Sequence, residues 1–302
     1  MPAMSGHPEL FHSSVRVRTA LAAALLGTLS ISAPAALSQQ GIPKQVLGSL
    51  YVTDKKGVPL TDIAPAELEV KENGKLRPIQ SAELDTRPLA VALVLDNNSE
   101  QSTSFMQSVV PAGVAAIKAL PPGTTIDIWT TGDRPTRVAN ALSHPGEAEA
   151  ALRNVAAIGT NTLLHTIAEA SKALPGDDQH RTAVIVMTTG TLGNAEGYGQ
   201  EQALKVTSMR PTFVSLELFK GKPDARVENE LEFLAKHTGG YFERVLAVTA
   251  FEKRAASLIA IVNAKYRIAW QPGVDPREAT LDFSCTRKGT KVVASQRLSA
   301  VW

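Results

Sequence analysis

Residues 89–95 read LAVALVL, an apolar run without a break that ends at Asp96. A strand with one wet face alternates apolar and polar residues. Unbroken apolarity predicts a central strand buried on both faces of a parallel sheet. The sequence after it fits that frame. Phe105, Val109, Val110, Val114 and Ile117 recur at helical spacing, and Pro121-Pro122-Gly123 stops the helix. Thr124 to Thr130 and Arg137 to Leu142 read as strands. Glu147 to Ala156 and Thr162 to Leu174 read as helices, separated by Ile158-Gly159-Thr160-Asn161. Ala183 to Thr189 is a second buried strand, followed by a helix over Glu201 to Ser208 and a strand over Pro211 to Phe219. Glu228 to His237 is helical and capped by Gly239-Gly240; Tyr241-Phe242-Glu243 is a short strand. Phe251, Ala255, Leu258, Ile259 and Val262 form one helix face. The alternation predicts an α/β fold with a doubly wound, mostly parallel sheet.

Both flanks of this unit read as β structure. Val46 to Thr53 is a strand with a tight turn at Asp54 to Gly57. Leu68 to Glu72 alternates, Asn73-Gly74 signals a two-residue hairpin, and Lys75 to Ala82 returns as its partner, with Pro78 at an edge or end. Tyr266 to Gln271, Ala279 to Cys285 and Lys291 to Leu298 alternate near the other end. Three strands at either end are too few to bury an apolar face alone. Residues 46–86 and 265–302 are therefore expected to pair into one small β-sandwich-like domain, with residues 87–264 inserted as the α/β domain.

Before these segments, Arg16 and Arg18 precede an apolar run from Ala20 to Ile31, and small residues follow to Ser38. That is the order of a secretory signal. The run is shorter than the ~20 residues that span a bilayer. Residues 1–38 are read as a signal peptide, cleaved after Ala35 or Ser38. The mature protein is then exported, periplasmic or extracellular, with no transmembrane segment left.

Composition removes several function classes. Lys+Arg (31) nearly balance Asp+Glu (29), and no basic stripe is visible, which argues against nucleic acid as a partner. The single cysteine, Cys285, excludes a disulfide framework or a Cys-rich metal site, and its strand context reads as packing. Six histidines stand at 7, 12, 144, 165, 180 and 237, without metal-ligand spacing. Ser99, Ser102 and Ser104 lie near Asp96, but no GxSxG elbow or legible base accompanies them. Gly190, Gly193, Gly197 and Gly199 match neither a dinucleotide fingerprint nor a P-loop. The chain is read as no enzyme.

In open parallel sheets ligands bind at the carboxyl ends of the strands. Those ends carry Leu95 to Ser102, the loop Gly159 to Thr162, and Thr188 to Thr191. With these residues in view, the chain resembles a von Willebrand factor A (vWA) domain, in particular the exported Acidobacterial-type VWFA-related group. Tyr51 to Leu60, Glu67 to Lys75, Pro88 to Asp96, Thr238 to Phe242 and Tyr266 to Trp270 carry the resemblance. It implies protein–protein interaction at the cell envelope or outside it, through a metal-ion-dependent adhesion site that holds Mg²⁺ or another divalent cation on hydroxyl and carboxylate oxygens. Asp96 matches the site's first aspartate and Thr162 its threonine. Asn98 and Glu100 stand at the two serine positions, and Thr189 at the late aspartate. The site is thus degenerate. One reading has it bind no metal. The other has Asn98 offer a carbonyl and Glu100 a carboxylate, although Mg²⁺ demands near-octahedral geometry at ~2.1 Å. A metal-independent structural or assembly role in an envelope complex is the alternative function, and a hydrolase the third.

Overall fold

The computed structural model describes residues 42–97, 103–190, 205, 211–218, 225–276 and 278–301. The signal segment, Asn98, Glu100, Ser99, Ser102, the glycines at 193, 197 and 199, most of Glu201 to Ser208, and Trp302 lie outside them.

Leu89–Leu95 (β6) is buried at every position. It lies between Arg181–Thr188 (β9) and Thr125–Thr130 (β7), parallel to both. Thr212–Leu218 (β10) and Tyr241–Val245 (β11) extend the parallel sheet beyond β9. Thr136–Leu142 (β8) closes the other edge antiparallel to β7. The two faces of β6 meet different helices because side chains alternate along a strand. Val91, Leu93 and Leu95 join a core with Thr103–Ala119 (α1) and Val248–Asn263 (α5). Ala90, Ala92 and Val94 join a second core with Leu163–Ala173 (α3) and Ala225–Thr238 (α4). Pro145–Arg153 (α2) packs its Ala148 and Leu152 into the first core. Each leucine so buried contributes roughly 1.5–3 kcal/mol.

The β segments interleave. Gln45–Thr53 (β1) runs antiparallel to Tyr266–Trp270 (β12) on one side, with Val46 opposite Trp270. Lys291–Ala294 (β14), Ser299–Val301 (β15) and the short Pro59–Leu60 (β2) also pair with β1. A separate three-stranded sheet sets Leu68–Glu72 (β3) between Leu281–Cys285 (β13) and Lys75–Arg77 (β4). One apolar core serves both sheets, with Val46, Leu50, Val70, Ile268 and Trp270 at its centre. Trp270 meets Phe283 edge-on at 5.9 Å. From Gly41 onward the chain is one compact unit.

Two strands are shorter than the sequence pattern predicts. The return strand expected over Lys75 to Ala82 breaks at Pro78. The residues before it stay with β3, and Ile79–Leu84 (β5) crosses to pair with β12. Proline has no N–H to give a ladder, so the change of sheet falls there. The strand expected over Lys291 to Leu298 stops at Ala294, and pairing with β1 resumes at Ser299. The Asn73-Gly74 turn does take positive φ at both residues, 48° and 78°, as its hairpin requires.

A buried carboxylate joins the two small sheets. Glu72 at the end of β3 is 1% exposed. Its Oε1 accepts the Trp270 indole N–H at 2.9 Å, and its Oε2 accepts Arg77 Nε at 2.8 Å and the Gly273 N–H at 2.7 Å.

Candidate functional site

Asp96, the residue after β6, has no solvent exposure. An aspartate after a buried strand commonly caps the next turn, but this one turns sideways to its neighbours. Its Oδ1 accepts the Thr131 hydroxyl at 3.3 Å, and its Oδ2 accepts the Thr188 hydroxyl at 2.7 Å. The Thr189 N–H lies 3.5 Å from Oδ2. Parallel pairing explains the convergence: Leu95 stands opposite Thr130 on β7 and Met187 on β9, so the next residue on each strand reaches the same edge.

Thr131 is the hub of this edge. Its hydroxyl oxygen also accepts the Asn97 N–H at 3.2 Å, and its carbonyl accepts the Thr162 hydroxyl. Thr162 is the N-cap residue of α3, yet its side chain makes no cap hydrogen bond. Asn161 caps instead, its Oδ1 accepting the Leu163 N–H at 2.9 Å. The Thr162 hydroxyl is left to reach the Thr131 carbonyl at the strand ends, and it also lies 3.2 Å from the Thr166 hydroxyl on α3. Asn97 anchors the loop below, donating from Nδ2 to the Ala156 carbonyl at 2.8 Å and accepting the Gly132 N–H at 3.1 Å.

The structure therefore brings Asp96, Thr162 and Thr189 to one edge, joined through Thr188, which the sequence places at that edge without a role, and Thr131, which it does not single out. Asn98 and Glu100 fall outside the described residues. His165 sits on α3 with Nε2 3.9 Å from Glu169. Arg137 pairs with Asp127 at 2.6 Å and lies over Trp129, 5.8 Å from the ring centre.

Glu217 was also missed. It stands opposite Thr188 on β10 and is fully buried. Arg244 Nε approaches its Oε1 at 3.1 Å. Burial pushes the Glu217 carboxyl above its ordinary pKa, against the pull of Arg244. The carboxyl presses on Gly190, whose φ is +70°; a Cβ there would lie 2.6 Å from the carboxyl carbon. Only glycine suits that turn, which receives its N–H bond from Gly190 to Thr188 Oγ1 at 2.9 Å.

A divalent cation at this edge would need several oxygen ligands. Of the carboxylates the described residues bring near it, Asp96 has both oxygens accepting hydroxyl donors, Glu217 faces Arg244 and Asp133 accepts the Thr160 N–H. Among the described residues no cluster of three or more His, Cys, Asp or Glu side chains is placed to hold a metal. Asn98 and Glu100, the other two candidate ligands, lie outside the described residues.

No protein-family model matches the sequence, and no curated protein matches it. Solved structures do. A von Willebrand factor type A protein from Catenulispora acidiphila aligns over 88% of this chain and 75% of its own, at 11% identity and a TM-score of 0.53. Proximal thread matrix protein 1 from the mussel byssus, solved with a zinc-occupied adhesion motif, aligns over 62% of this chain and 48% of its own, at 15% identity and a TM-score of 0.51. The von Willebrand factor domain of the type V pili tip protein Mfa5 from Porphyromonas gingivalis aligns over 58% of this chain and 97% of its own, at 12% identity and a TM-score of 0.47. The likeness is one of fold: a von Willebrand factor A architecture. No helix among the described residues is long and apolar enough to cross a membrane.

Proposed function

We propose that this chain is an exported, non-catalytic von Willebrand factor A-type module of the Acidobacterial-type VWFA-related kind. It binds a protein partner in the periplasm or outside the cell. Its binding edge is the rim of strand ends around Asp96, Asn98, Glu100, Thr162 and Thr189. Residues 46–86 and 265–302 serve as a small sandwich-like base for the α/β domain of residues 87–264.

The observation that carries this reading is the hydrogen bonding of Asp96. Thr131 and Thr188 each donate a hydroxyl to its carboxylate, one to either oxygen. Hydroxyl donors stabilise a buried carboxylate, each charge-assisted bond contributing about 1.5–3 kcal/mol. The adhesion site is degenerate on this account, and the rim works without Mg²⁺. The mussel protein's zinc-occupied motif is the reason to test this and not assume it.

The test is capture from an envelope fraction by the immobilised chain, with Mg²⁺ and with EDTA. Capture is expected in both, and lost in Thr162→Ala, whose side chain reaches the rim without belonging to the buried strand core. Capture that survives Thr162→Ala and Asp96→Ala moves the interface off this edge. Capture abolished by EDTA restores the metal.

A further inference from the structure

At the opposite end of the parallel sheet, where the strands begin, a cavity of about 190 Å³ opens. The starts of β6, β9 and β10 form one wall, at Leu89, Arg181 and Thr212. Residues 47–49 of β1 form the other. Five cationic side chains line it: Lys265, Arg181, Arg297, Arg267 and Arg87. Three carboxylates do so too, Asp85, Asp177 and Asp178, with His180.

The pairing inside the cavity is uneven. Arg87 forks onto Asp85, with Nε 2.8 Å from Oδ1 and Nη2 2.5 Å from Oδ2. Burial pushes the Asp85 carboxyl up, but the Arg87 fork outweighs it and holds the pKa below the usual range. His180 Nδ1 lies 2.8 Å from Asp177. Among the described residues neither Lys265 nor Arg181 has a carboxylate within ion-pair distance, although Asp85 pulls on both from farther away. The buried Lys265 ammonium donates to Thr212 Oγ1 and the Thr238 carbonyl, both at 3.2 Å. Arg181 donates to the carbonyls of Arg87 at 3.0 Å and Val262 at 3.2 Å. All four acceptors are neutral. A buried cation whose direct contacts are all neutral dipoles leaves much of its desolvation uncompensated, a cost of several kcal/mol in folded proteins.

We infer that this cavity binds a small phosphate-type oxyanion, with Lys265 and Arg181 as its principal ligands and Arg297 and Arg267 completing a cationic wall. The size selects the class. Pockets for drug-sized ligands run to about 300–1,000 Å³. Here there is room for one tetrahedral anion and a few waters at ~30 Å³ each. Arginine's planar fork suits phosphate oxygens, and the lysine adds a point charge. The local field agrees: burial, then the nearby Arg297, push the Lys265 ammonium down to about 7 against the opposing pull of Asp85. An anion in the cavity reverses that push. It would also tie the parallel sheet to β1 and β12, since its walls come from both.

Titration of the full chain with inorganic phosphate at neutral pH, followed by calorimetry, tests this. Saturable binding is expected, with acetate and chloride at matched ionic strength giving none; sulfate binding places charge and shape above phosphate chemistry as the selector. Lys265→Met and Arg181→Gln should each weaken phosphate at least about tenfold, while the exposed Arg134→Gln leaves it unchanged. Lys265→Met should melt no lower than the parent without phosphate, because it removes a buried charge. If that variant does not fold, Arg297→Gln supplies the same comparison. Absence of saturable binding, or equal binding in the variants, overturns the assignment.

Discussion

Thr188 on β9 donates its hydroxyl proton to Asp96 just past the neighbouring strand β6, 2.7 Å from Oδ2, and accepts the Gly190 N–H on the same oxygen. One side chain therefore fixes both the buried carboxylate and the turn that follows its own strand. Thr188→Val keeps the shape and removes both bonds. It should lower unfolding free energy by about 1–3 kcal/mol in urea, the cost of leaving buried polar groups unmet, while Thr188→Ser should recover most of it. Equal stability of the valine and parent chains would show that Asp96 is held by other means.

A cation bound to the native state at a hundredfold excess over its Kd adds about 2.7 kcal/mol. For a chain of this size that is a rise of roughly 5–10 °C in Tm. Mg²⁺, Mn²⁺ and EDTA are expected to give the same Tm within error. A rise of that size with metal, lost in Asp96→Ala, would return the rim to metal-dependent adhesion.

Lys265 gives stability a pH dependence of definite sign. Its folded pKa is lowered from 10.5 to about 7. Between those values the unfolded chain holds a proton that the folded chain has released, so stability rises with pH across the window. The slope is at most about 1.4 kcal/mol per pH unit. Denaturation from about pH 7 to about pH 9 should show this rise in the parent and lose it in Lys265→Met, and saturating phosphate should flatten it in the parent. Arg297, another cation of the cavity, is pushed down by burial only to about 10 and stays charged over that range.

Glu72 gathers Trp270, Arg77 and Gly273 on one carboxylate. Glu72→Ala leaves a buried indole N–H and a guanidinium without their acceptor. Loss of about 3 kcal/mol is expected, as for breaking other buried pairs. A shift in tryptophan emission should accompany it, because Trp270 is fully enclosed at that point.

What the sequence discloses about this fold depends on whether the cause is local. The burial of Leu89 to Leu95 is legible because every residue of the run must find an apolar neighbour, wherever that neighbour comes from. The Asn73-Gly74 turn is legible because positive φ selects those residues. Pro78 marks a strand end, but nothing beside it says that the chain changes sheets; that depends on β12, far along the sequence. The site behaves the same way. Asp96 and Thr162 stand out by position in a motif. Thr131, an ordinary threonine at the end of a strand, becomes the hub only when parallel pairing sets it against residues over thirty positions distant. Lys265 and Arg181 carry no motif at all and meet only across the seam between sheets.

The interleaving of β1 has a temporal side. Its long neighbours, β12, β14 and β15, all belong to residues 266–301. Until those residues leave the ribosome, β1 has only the two-residue β2 beside it. Contacts so distant in sequence form late and slowly. A chain synthesised from its N-terminus thus keeps this sheet open until its final strands have emerged.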